Sequence, residues 1–505
     1  MNPPRLFSWR LLSWLALYFV LWTVLPLWLS ASYPLDVVEG IYWGREWQWG
    51  YYKHPPLSSW LLHGFYAVFG HVGPYLLSQL AIALSLWLVY RLGRQLMSPQ
   101  RALLGSLLLL AVFYYTWPSL EFNHNIAQLP VWAGIIYAFY LAMTTQRWRY
   151  WLLFGLLAGA GMLVKYTVAI LLLVAVLYSL LTPQRRLWRT RGPWLALLLA
   201  LLVFLPNVLW LWQHEWLPFT YAQARAAEAE SSGGRLSALG FLVTQLLNHL
   251  PLLLILLATR TGLKRLPENT DTAALARPSA QGQRFLWVMG LGPAVLVVVL
   301  GLLLGIGLRD MWGMPMWSLS GLLVASLIPA ARFERQYPRL LKGLAVWLLL
   351  ATVLMGSYVQ WGGQWRNKPS RMDWPQAALA QQADSTWQAL SRCGLDNIAG
   401  DYWLAGLAAT DPAAFSSDRP SVMIGGNPAY SPWMSAARLQ SHGSLMVWPQ
   451  GEPPPVPLLD NLPPNSGLVV REGEWQIAWQ KLPKRAPLTV QWRAYIPQSC
   501  FKPQP

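Results

Sequence analysis

Long apolar stretches recur through the first 360 residues of this 505-residue chain, and they constrain its fold more than any other feature. Many of them approach the length of about 20 residues that an α-helix needs to cross the hydrocarbon core of a bilayer. Backbone polar groups inside a bilayer must be satisfied within the segment, so the pattern predicts a polytopic all-α membrane domain with about eleven transmembrane helices. The predicted spans lie near residues 11–30, 72–90, 102–118, 126–143, 151–164, 167–182, 193–212, 236–258, 285–308, 314–330 and 341–360.

The composition supports a membrane protein and argues against a nucleic-acid-binding one. The chain is 55% hydrophobic and only 12% charged, and it contains 32 Trp and 21 Tyr. Rings of this kind, with one polar edge, collect where hydrocarbon meets lipid headgroups. A formal net charge of +17 is high, but the basic residues are spread over short loops and form no single patch. We therefore expect a membrane and no nucleic acid among the partners.

The basic residues fall mainly into alternate loops, which predicts the orientation of the chain. Cytoplasmic loops carry the excess of Lys and Arg in membrane proteins. With a cytoplasmic N-terminus, twenty of these residues lie inside, namely Arg5, Arg10, Arg91, Arg94, Arg101, Arg147, Arg149, Arg185, Arg186, Arg189, Arg191, Arg260, Lys264, Arg265, Arg277, Arg284, Arg332, Arg335, Arg339 and Lys342. Six lie outside, namely Arg45, Lys53, Lys165, Arg225, Arg235 and Arg309. The loop 31–71 and the tail after residue 360 are then external, and the first span is expected to be an uncleaved anchor because no A-x-A type site follows it.

The apolar run from Tyr150 to Leu181 is too long for one ordinary crossing and carries Lys165 near its middle. Two short helices that turn at Lys165 fit it best. The alternative is one long tilted helix, which would place the lysine in hydrocarbon at a cost of roughly 3 kcal/mol. That alternative would also reverse the side of every later loop.

The composition changes after Trp361, and residues 361–505 are predicted to form a soluble periplasmic α/β domain that follows the membrane domain of residues 1–360. Gln376 to Leu390 has helical periodicity, and the segments SVMIGG, SLMVWP, GLVVREG, WQIAWQ and LTVQWRAYI are typical of strands. The two cysteines, Cys393 and Cys500, both lie in this tail. A disulfide between them would suit an oxidising compartment, and two buried free thiols are the alternative.

Two carboxylates follow the first span, in the sequence DVVEG that begins at Asp36. Asp36 and Glu39 are three residues apart, so they would share one face of the first turn of a helix lying along the membrane interface. The N-terminus of a helix favours ionised carboxylates. The alternative is that both acids only cap a surface helix.

A cation and an imidazole stand beside two prolines in the sequence GYYKHPPLSSW that begins at Gly50. Proline restricts the backbone on both sides, so Lys53 and His54 are expected to be held in place. A lysine at the level of the headgroups is well placed to meet a lipid phosphate, and Lys165 and Arg309 are expected on the same side. The alternative for each is a cation that extends to the membrane interface without further function.

A short polar loop between two spans contains Glu121 and His124, which could bind a divalent cation. A tight polar turn explains the same residues, because no third ligand is evident. The charges of Arg309 and Asp310, at the start of a later span, could equally pair with each other.

The segments DVVEG, GYYKHPPLSSW, GMLVKYT and RDMWGMP resemble GT-C glycosyltransferases of the protein O-mannosyltransferase superfamily. Over residues 10–360 the chain is most similar to the bacterial branch, which includes the aminoarabinose lipid A transferases. The resemblance implies an inner-membrane enzyme that moves a sugar from a polyprenyl-phosphate donor, such as undecaprenyl phosphate, to a periplasmic acceptor such as lipid A or another envelope glycan. It implies no metal ligands, because metal dependence varies in the superfamily.

The resemblance also implies roles for individual residues. Asp36 matches the acid that serves the acceptor and would act as the general base of an inverting transfer, with Glu39 orienting the acceptor, binding the sugar or tuning Asp36. Lys53 matches the lysine that contacts the carrier phosphate, although His54 is inserted between it and the prolines. The full set expected to bind the donor or substrate is Glu39, Tyr51, Lys53, His54, Lys165, Tyr166 and Arg309.

Two other functions fit parts of the sequence. A transporter or flippase of lipid-linked sugars would also place cations near a lipid phosphate, but it would need polar or broken segments near the middle of several spans. A non-catalytic assembly protein would use the periplasmic tail to recruit partners, and the acids and the Lys-His-Pro-Pro turn argue against it.

Overall fold

The computed structural model describes residues 9–230, 237–261, 276–411, 419–453, 455 and 467–503. Four basic residues used in the topology prediction, Arg5, Arg235, Lys264 and Arg265, lie outside these ranges. The chain divides into two compact units. The first unit comprises Met1–Thr23, Tyr52–Ser58 and Tyr75–Leu354, and the second comprises Val24–Tyr51, Ser59–Pro74 and Met355–Pro505.

Helices make up almost all of the regular structure before residue 366. Their bounds are α1 (Trp9–Leu29), α2 (Leu35–Arg45), α3 (Leu57–Phe69), α4 (Gly73–Leu96), α5 (Pro99–Leu108), α6 (His124–Thr145), α7 (Trp148–Val164), α8 (Val168–Leu181), α9 (Arg191–Gln213), α10 (Leu217–Glu230), α11 (Ser237–Asn248), α12 (Leu250–Ala258), α13 (Ala280–Leu304), α14 (Ser320–Leu327) and α15 (Ala330–Trp365).

Within the described residues, six helical segments are long and apolar enough to cross a membrane. The number rises to nine if each of three sharply bent helix pairs is one broken span. The predicted polytopic helical domain is therefore confirmed, whereas the count of eleven crossings is not. One predicted span, 314–330, is wrong as a single helix, because it consists of the end of a 3₁₀ segment (Asp310–Trp317) and the short α14. Pro315 interrupts the run, and the eight residues of α14 extend only about 12 Å.

Several apolar runs are broken rather than straight. The run near 102–118 bends by 89° between Pro99–Ala111 and Phe113–Leu120, and α11 meets α12 at 46°. The break predicted at Lys165 is confirmed: α7 ends at Val164, Lys165 is extended with φ −163° and ψ 137°, and α8 begins at Val168. The sequence carries the signal for this break because a lysine is costly inside an apolar helix.

The second unit contains the predicted α/β domain, built on a five-stranded sheet. Its strands are β1 (Asn397–Gly400), β2 (Ser421–Ile424), β3 (Ser444–Pro449), β4 (Leu468–Ile477) and β5 (Leu488–Pro497), in the order β2-β1-β3-β5-β4. β1 runs parallel to β2 and β3, whereas β5 is antiparallel to β3 and β4. The helices of the domain are α16 (Gln376–Leu390), α17 (Tyr402–Thr410) and α18 (Ala436–His442).

The predicted strands and helix of this domain are largely confirmed. α16 has the predicted bounds, and the segments predicted as GLVVREG and WQIAWQ are one continuous strand, β4. They are continuous because Gly473 stays in register with Trp492 of β5 and does not form a turn. Cys393, which follows α16, is joined by a disulfide to Cys500, which follows β5, with 5.4 Å between the Cα atoms. Strand β1 and helices α17 and α18 were not predicted.

Candidate functional site

The acids of the DVVEG motif lie on α2, in the second unit. Pro34 precedes the helix with φ −63° and ψ 164°, and Asp36 stands in the first turn. The helix predicted here is therefore confirmed. Asp36 is partly exposed, whereas Glu39 is only 3% exposed.

The predicted course of α2 along the membrane interface stays a prediction, and every residue of the helix from 37 to 44 is buried. One reason is that α2 packs against α17 of the sheet domain, where Gly406 faces the helix. A Cβ placed on Gly406 would lie 2.7 Å from Cγ1 of Val38 and 2.9 Å from Cε1 of Tyr42. The close approach therefore requires glycine, and α17 fixes the position of the helix that carries Asp36.

Tyr51 belongs to the packing around α2. Its ring stacks on Trp43 at 5.3 Å between centroids, and its hydroxyl donates a hydrogen bond of 2.6 Å to the carbonyl oxygen of Trp43. The side chain is 1% exposed. Its expected contact with the donor therefore stays a prediction, and in this structure the ring stabilises the end of α2.

Lys53 lies in the first unit, where aromatic rings hold its side chain. The Nζ of Lys53 is 5.1 Å from the ring centroid of Tyr52 and 5.6 Å from that of Tyr221 on α10. A cation against ring faces gains about 0.5–2 kcal/mol, depending on its exposure to water. The side chain is partly buried, and the two rings restrict the position of its ammonium group.

Arg309 reaches the same helix one turn further on. Its Nη2 donates a hydrogen bond of 3.1 Å to the carbonyl oxygen of Arg225. Arg225 follows Tyr221 by four residues on α10, which is about one turn of the helix. The structure thus brings Lys53 and Arg309, which are distant in sequence, to neighbouring turns of one helix.

Tyr166 also contacts α10. Its ring stacks on Phe219 at 5.1 Å between centroids, and its hydroxyl donates a hydrogen bond of 3.2 Å to Oδ1 of Asn207 on α9. No role was predicted for α10. Its run of Ala and Glu, from Ala222 to Glu230, is the signal that could have identified the helix.

A second set of contacts joins His54 and Lys165 to the N-terminal end of α6. The ring centroids of His54 and His124 are 3.6 Å apart. The Nζ of Lys165 donates a hydrogen bond of 2.5 Å to Oδ1 of Asn125. Lys165 directly follows the apolar helix α7, and its side chain is buried. The backbone N–H groups at the start of a helix add partial positive charge, so this end of α6 favours an anion.

Burial lowers the pKa of His54 well below its ordinary value, and the nearby charges of Lys165 and Lys53 lower it further. The imidazole is therefore neutral near pH 7. A neutral His54 adds no third positive charge beside Lys53 and Lys165.

The suggested cation site at Glu121 and His124 gains no support. Within the described ranges, no group of three or more His, Cys, Asp or Glu side chains is arranged to hold a metal ion. His124 stacks on His54 instead. Its contact with His54, beside Lys53 and Lys165, was not predicted, because ring stacking between distant loops gives no recognisable sequence pattern.

Known proteins resemble this chain in both sequence and fold. The family model described as dolichyl-phosphate-mannose-protein mannosyltransferase matches residues 53–210. The lipopolysaccharide core galacturonosyltransferase RgtA of Rhizobium johnstonii is 28% identical over 39% of this chain and 40% of its own length. RgtB of the same organism is 28% identical over 64% of this chain and 67% of its own. The undecaprenyl phosphate-alpha-4-amino-4-deoxy-L-arabinose arabinosyl transferase of Pseudomonas aeruginosa is 35% identical over 31% of this chain and 30% of its own.

The fold likeness extends over nearly the whole chain. The crystal structure of ArnT from Cupriavidus metallidurans bound to undecaprenyl phosphate superposes with a TM-score of 0.61, covering 98% of this chain and 99% of that one at 14% identity. The fold is thus that of a multi-pass membrane protein with a small C-terminal sheet domain. Together these likenesses support a GT-C glycosyltransferase of the superfamily that includes the aminoarabinose transferases and the protein O-mannosyltransferases, and the sequence match spans only 40% of the length of RgtA.

Proposed function

We propose that this protein is a membrane glycosyltransferase that takes a sugar from a polyprenyl-phosphate carrier, such as undecaprenyl phosphate, and gives it to an acceptor outside the cytoplasm. The observation that supports this most is the convergence of Lys53 and Arg309 on successive turns of α10. The relatives named above act in lipopolysaccharide core galacturonic acid transfer and in aminoarabinose transfer from undecaprenyl phosphate. Lipid A or another envelope glycan in the periplasm is the acceptor that we propose.

The cations of the first unit have the chemistry needed for the donor. A polyprenyl phosphate is already a good leaving group, so the enzyme need not protonate it. It must stabilise the negative charge that grows on the phosphate as the bond to the sugar breaks. We assign this role to Lys53, Lys165 and Arg309, with His54 and Tyr166 shaping the site around them.

The acceptor requires a base, and we assign this role to Asp36. The acceptor hydroxyl loses its proton to the carboxylate of Asp36 while its oxygen bonds to the anomeric carbon. The bond between that carbon and the phosphate oxygen breaks, and the carrier phosphate leaves. One displacement inverts the anomeric carbon, so a single catalytic carboxylate suffices. Glu39, buried one turn along α2, would orient Asp36 or the acceptor.

The orientation that we propose follows from the distribution of Lys and Arg. The N-terminus would be cytoplasmic, and α2, Lys53 and the sheet domain would face the periplasm of a cell with an inner membrane. The disulfide between Cys393 and Cys500 is consistent with an oxidising compartment around the sheet domain.

The proposed activity can be tested with purified protein in detergent. The full-length chain is incubated with a radiolabelled undecaprenyl-phosphate sugar and lipid A, and the label transferred to lipid A is measured. We expect transfer by the wild-type protein and a rate lower by at least about a hundredfold for Asp36→Asn. Detergent micelles have no separate compartments, so a transporter would give no product here. Absence of transfer across aminoarabinose, galacturonic acid and hexose donors would overturn the proposal.

A further inference from the structure

An open groove of about 760 Å³ lies between α12 and α15, within the first unit. Its lining positions recur at intervals of three and four residues, so each helix presents one face to it. On α15 the lining residues are Arg339, Lys342, Gly343, Val346, Trp347 and Leu350. At 1.5 Å per residue, the groove follows α15 for about 16 Å.

The two helices approach most closely at Gly343. A Cβ placed on Gly343 would lie 3.1 Å from Cγ2 of Ile255 and 3.6 Å from Cγ2 of Thr259. Arg260 directly follows Thr259, and Lys342 directly precedes Gly343. The contact therefore gathers Arg260 with the two cations of α15 at one end of the groove.

The rest of the groove is apolar. Leu254, Val346 and Leu350 line it and are 54%, 60% and 49% exposed. The Nε1 of Trp347 donates a hydrogen bond of 3.0 Å to the carbonyl oxygen of Leu110, which holds the indole ring in the wall. The groove thus combines a cationic end with an apolar length, which is the polarity of an amphipathic anion.

The end of α12 places Arg260 where glycine is usual. The N–H of Thr261 donates to the carbonyl oxygen of Leu256, and that of Arg260 donates to the carbonyl oxygen of Leu257, each at 2.9 Å. This pair of hydrogen bonds is the Schellman motif, whose left-handed residue is most often glycine. Arg260 occupies that position with φ 52°. The backbone alone therefore does not favour arginine here.

The charges at this end are mainly positive. Arg339 and Lys342 are three residues apart, and like charges at this spacing repel on a helix surface. The sole acid on α12 and α15 is Glu334, five residues before Arg339 and so about 140° away around the helix. The C-terminal end of α12 carries about half a unit of negative charge, which three cations outweigh. No acidic side chain is among the described residues that line the groove.

We propose that the groove binds an anionic phospholipid of the surrounding bilayer. The headgroup phosphate would lie between Arg260, Arg339 and Lys342, where guanidinium and ammonium groups donate charge-assisted hydrogen bonds to its oxygens. One acyl chain would lie along Leu254, Val346 and Leu350. Basic pockets between transmembrane helices are suited to such headgroups.

The groove is separate from the residues proposed to act on the donor. Arg260, Arg339 and Lys342 belong to the basic residues predicted to be cytoplasmic, whereas Lys53 and Arg309 are predicted to be external. Lipid binding requires only that the two helices lie in a membrane, and α15 is long and apolar enough to cross one. The inference therefore does not rest on the proposed sugar transfer.

The test is a lipid titration of the full-length protein in dodecyl maltoside, with the unfolding temperature measured by intrinsic tryptophan fluorescence. Dioleoyl phosphatidylglycerol is the probe, and dioleoyl phosphatidylcholine, which has the same chains and no net charge, is the control. A ligand that binds only the folded state raises the unfolding temperature as its concentration rises. We expect a saturable rise with phosphatidylglycerol that exceeds the rise with phosphatidylcholine.

Variants locate the binding. The Arg339→Gln, Lys342→Gln double variant should bind phosphatidylglycerol at least about tenfold more weakly, as for lost charge-assisted contacts. The matched control is Arg147→Gln, because Arg147 is an exposed cation before α7 and is predicted to lie on the same side of the membrane. Its affinity should stay at the wild-type value.

Arg260→Gly separates binding from a structural role. Glycine suits the left-handed position, so the unfolding temperature without anionic lipid should stay the same or rise, while the affinity for phosphatidylglycerol falls. A variant with a lower unfolding temperature and unchanged lipid affinity would show that Arg260 only stabilises the end of α12.

Two further probes identify the occupant. Soluble glycerol phosphate, which lacks acyl chains, should bind at least about tenfold more weakly than phosphatidylglycerol, because it buries no apolar surface. Undecaprenyl phosphate that binds more tightly, and loses affinity in the double variant, would assign the groove to a carrier lipid and overturn the proposal. Equal responses to phosphatidylglycerol in the wild type and the double variant would also overturn it. Lipid binding in a protein that transfers no sugar would leave this inference standing while the proposed function fails.

Discussion

The rings of His54 and His124 lie 3.6 Å apart, centroid to centroid, and bring the Lys-His-Pro-Pro turn to the N-terminal end of α6. Lys53 and Lys165 are both close enough to His54 to lower its pKa. The turn therefore does more than present one lysine. It assembles two cations around a neutral imidazole.

The lowered pKa of His54 predicts a loss of stability in acid. The folded protein keeps His54 neutral, whereas the unfolded chain takes up a proton below about pH 6.5, so the free energy of unfolding falls as the pH drops below that value. We expect the unfolding temperature of the wild-type protein to fall more steeply between about pH 6.5 and pH 5 than that of His54→Asn. Superimposable pH profiles for the two proteins would show that His54 does not titrate as expected.

Asp36→Asn should abolish most sugar transfer without affecting the fold, because the amide is nearly the same size but cannot accept the acceptor proton. Removal of a general base typically costs about 10²–10⁴-fold in rate. The measurement is kcat with saturating donor, with the unfolding temperature as a check on the fold. Glu39→Gln is the informative comparison: an orienting role predicts a smaller loss. An Asp36→Asn variant with full activity would remove Asp36 from the mechanism.

Lys53→Ala should chiefly weaken the use of the donor. The loss of one charged contact to a phosphate predicts a rise of roughly tenfold or more in the KM for the polyprenyl-phosphate sugar, with a smaller effect on the KM for the acceptor. Steady-state kinetics with each substrate varied in turn separates the two effects. The control is Lys368→Ala, since Lys368 is exposed and follows α15. An unchanged donor KM would refute the phosphate contact.

Arg309 and Arg225 offer a matched pair, because the hydrogen bond between them uses the side chain of the first and the backbone of the second. Arg309→Gln should raise the donor KM, by an amount comparable to Lys53→Ala. Arg225→Ala keeps the carbonyl acceptor and should leave the KM near the wild-type value. The reverse order of effects would assign the phosphate contact to Arg225 instead.

The disulfide can be checked by mass. Alkylation of the unfolded protein without reductant should add no label, and alkylation after reduction should add two, one at Cys393 and one at Cys500. Loss of the bond in a Cys393→Ser, Cys500→Ser double variant should lower the stability of the sheet domain by about 2–5 kcal/mol, measured by chemical denaturation. Equal labelling with and without reductant would mean that the thiols are free.

The sequence predicts those parts of the fold that depend on local patterns. The break at Lys165, the bounds of α16 and most strands of the sheet domain follow from periodicity and from the cost of charge in an apolar run. The span at 314–330 was mispredicted, because hydropathy alone does not register how Pro315 and its neighbours break a helix. Strand β1 was missed because its four residues, Asn397 to Gly400, are too few to show a period.

The site was predictable as a list of residues but not as an arrangement. Lys53, Lys165 and Arg309 stand out because cations are rare in the loops that the sequence predicts to be external. Tyr221, which lies beside Lys53, and His124, which lies near Lys53 and Lys165, carry no such signal, because an aromatic residue is not distinctive in the sequence until the fold places it beside a cation. The burial of α2 could not be predicted either, because the helix that covers it, α17, begins only at Tyr402, far along the chain.

The contact at Gly406 has a consequence for how the protein is made. α2 is synthesised some 350 residues before the surface that it packs against. Until then Val38 and Tyr42 lack their partner, so a chain that ends before the sheet domain should insert in the membrane and yet be inactive. A bulky residue at position 406 would have the same effect in a full-length chain, because α2 could not pack in its final position although the proposed catalytic residues are unchanged.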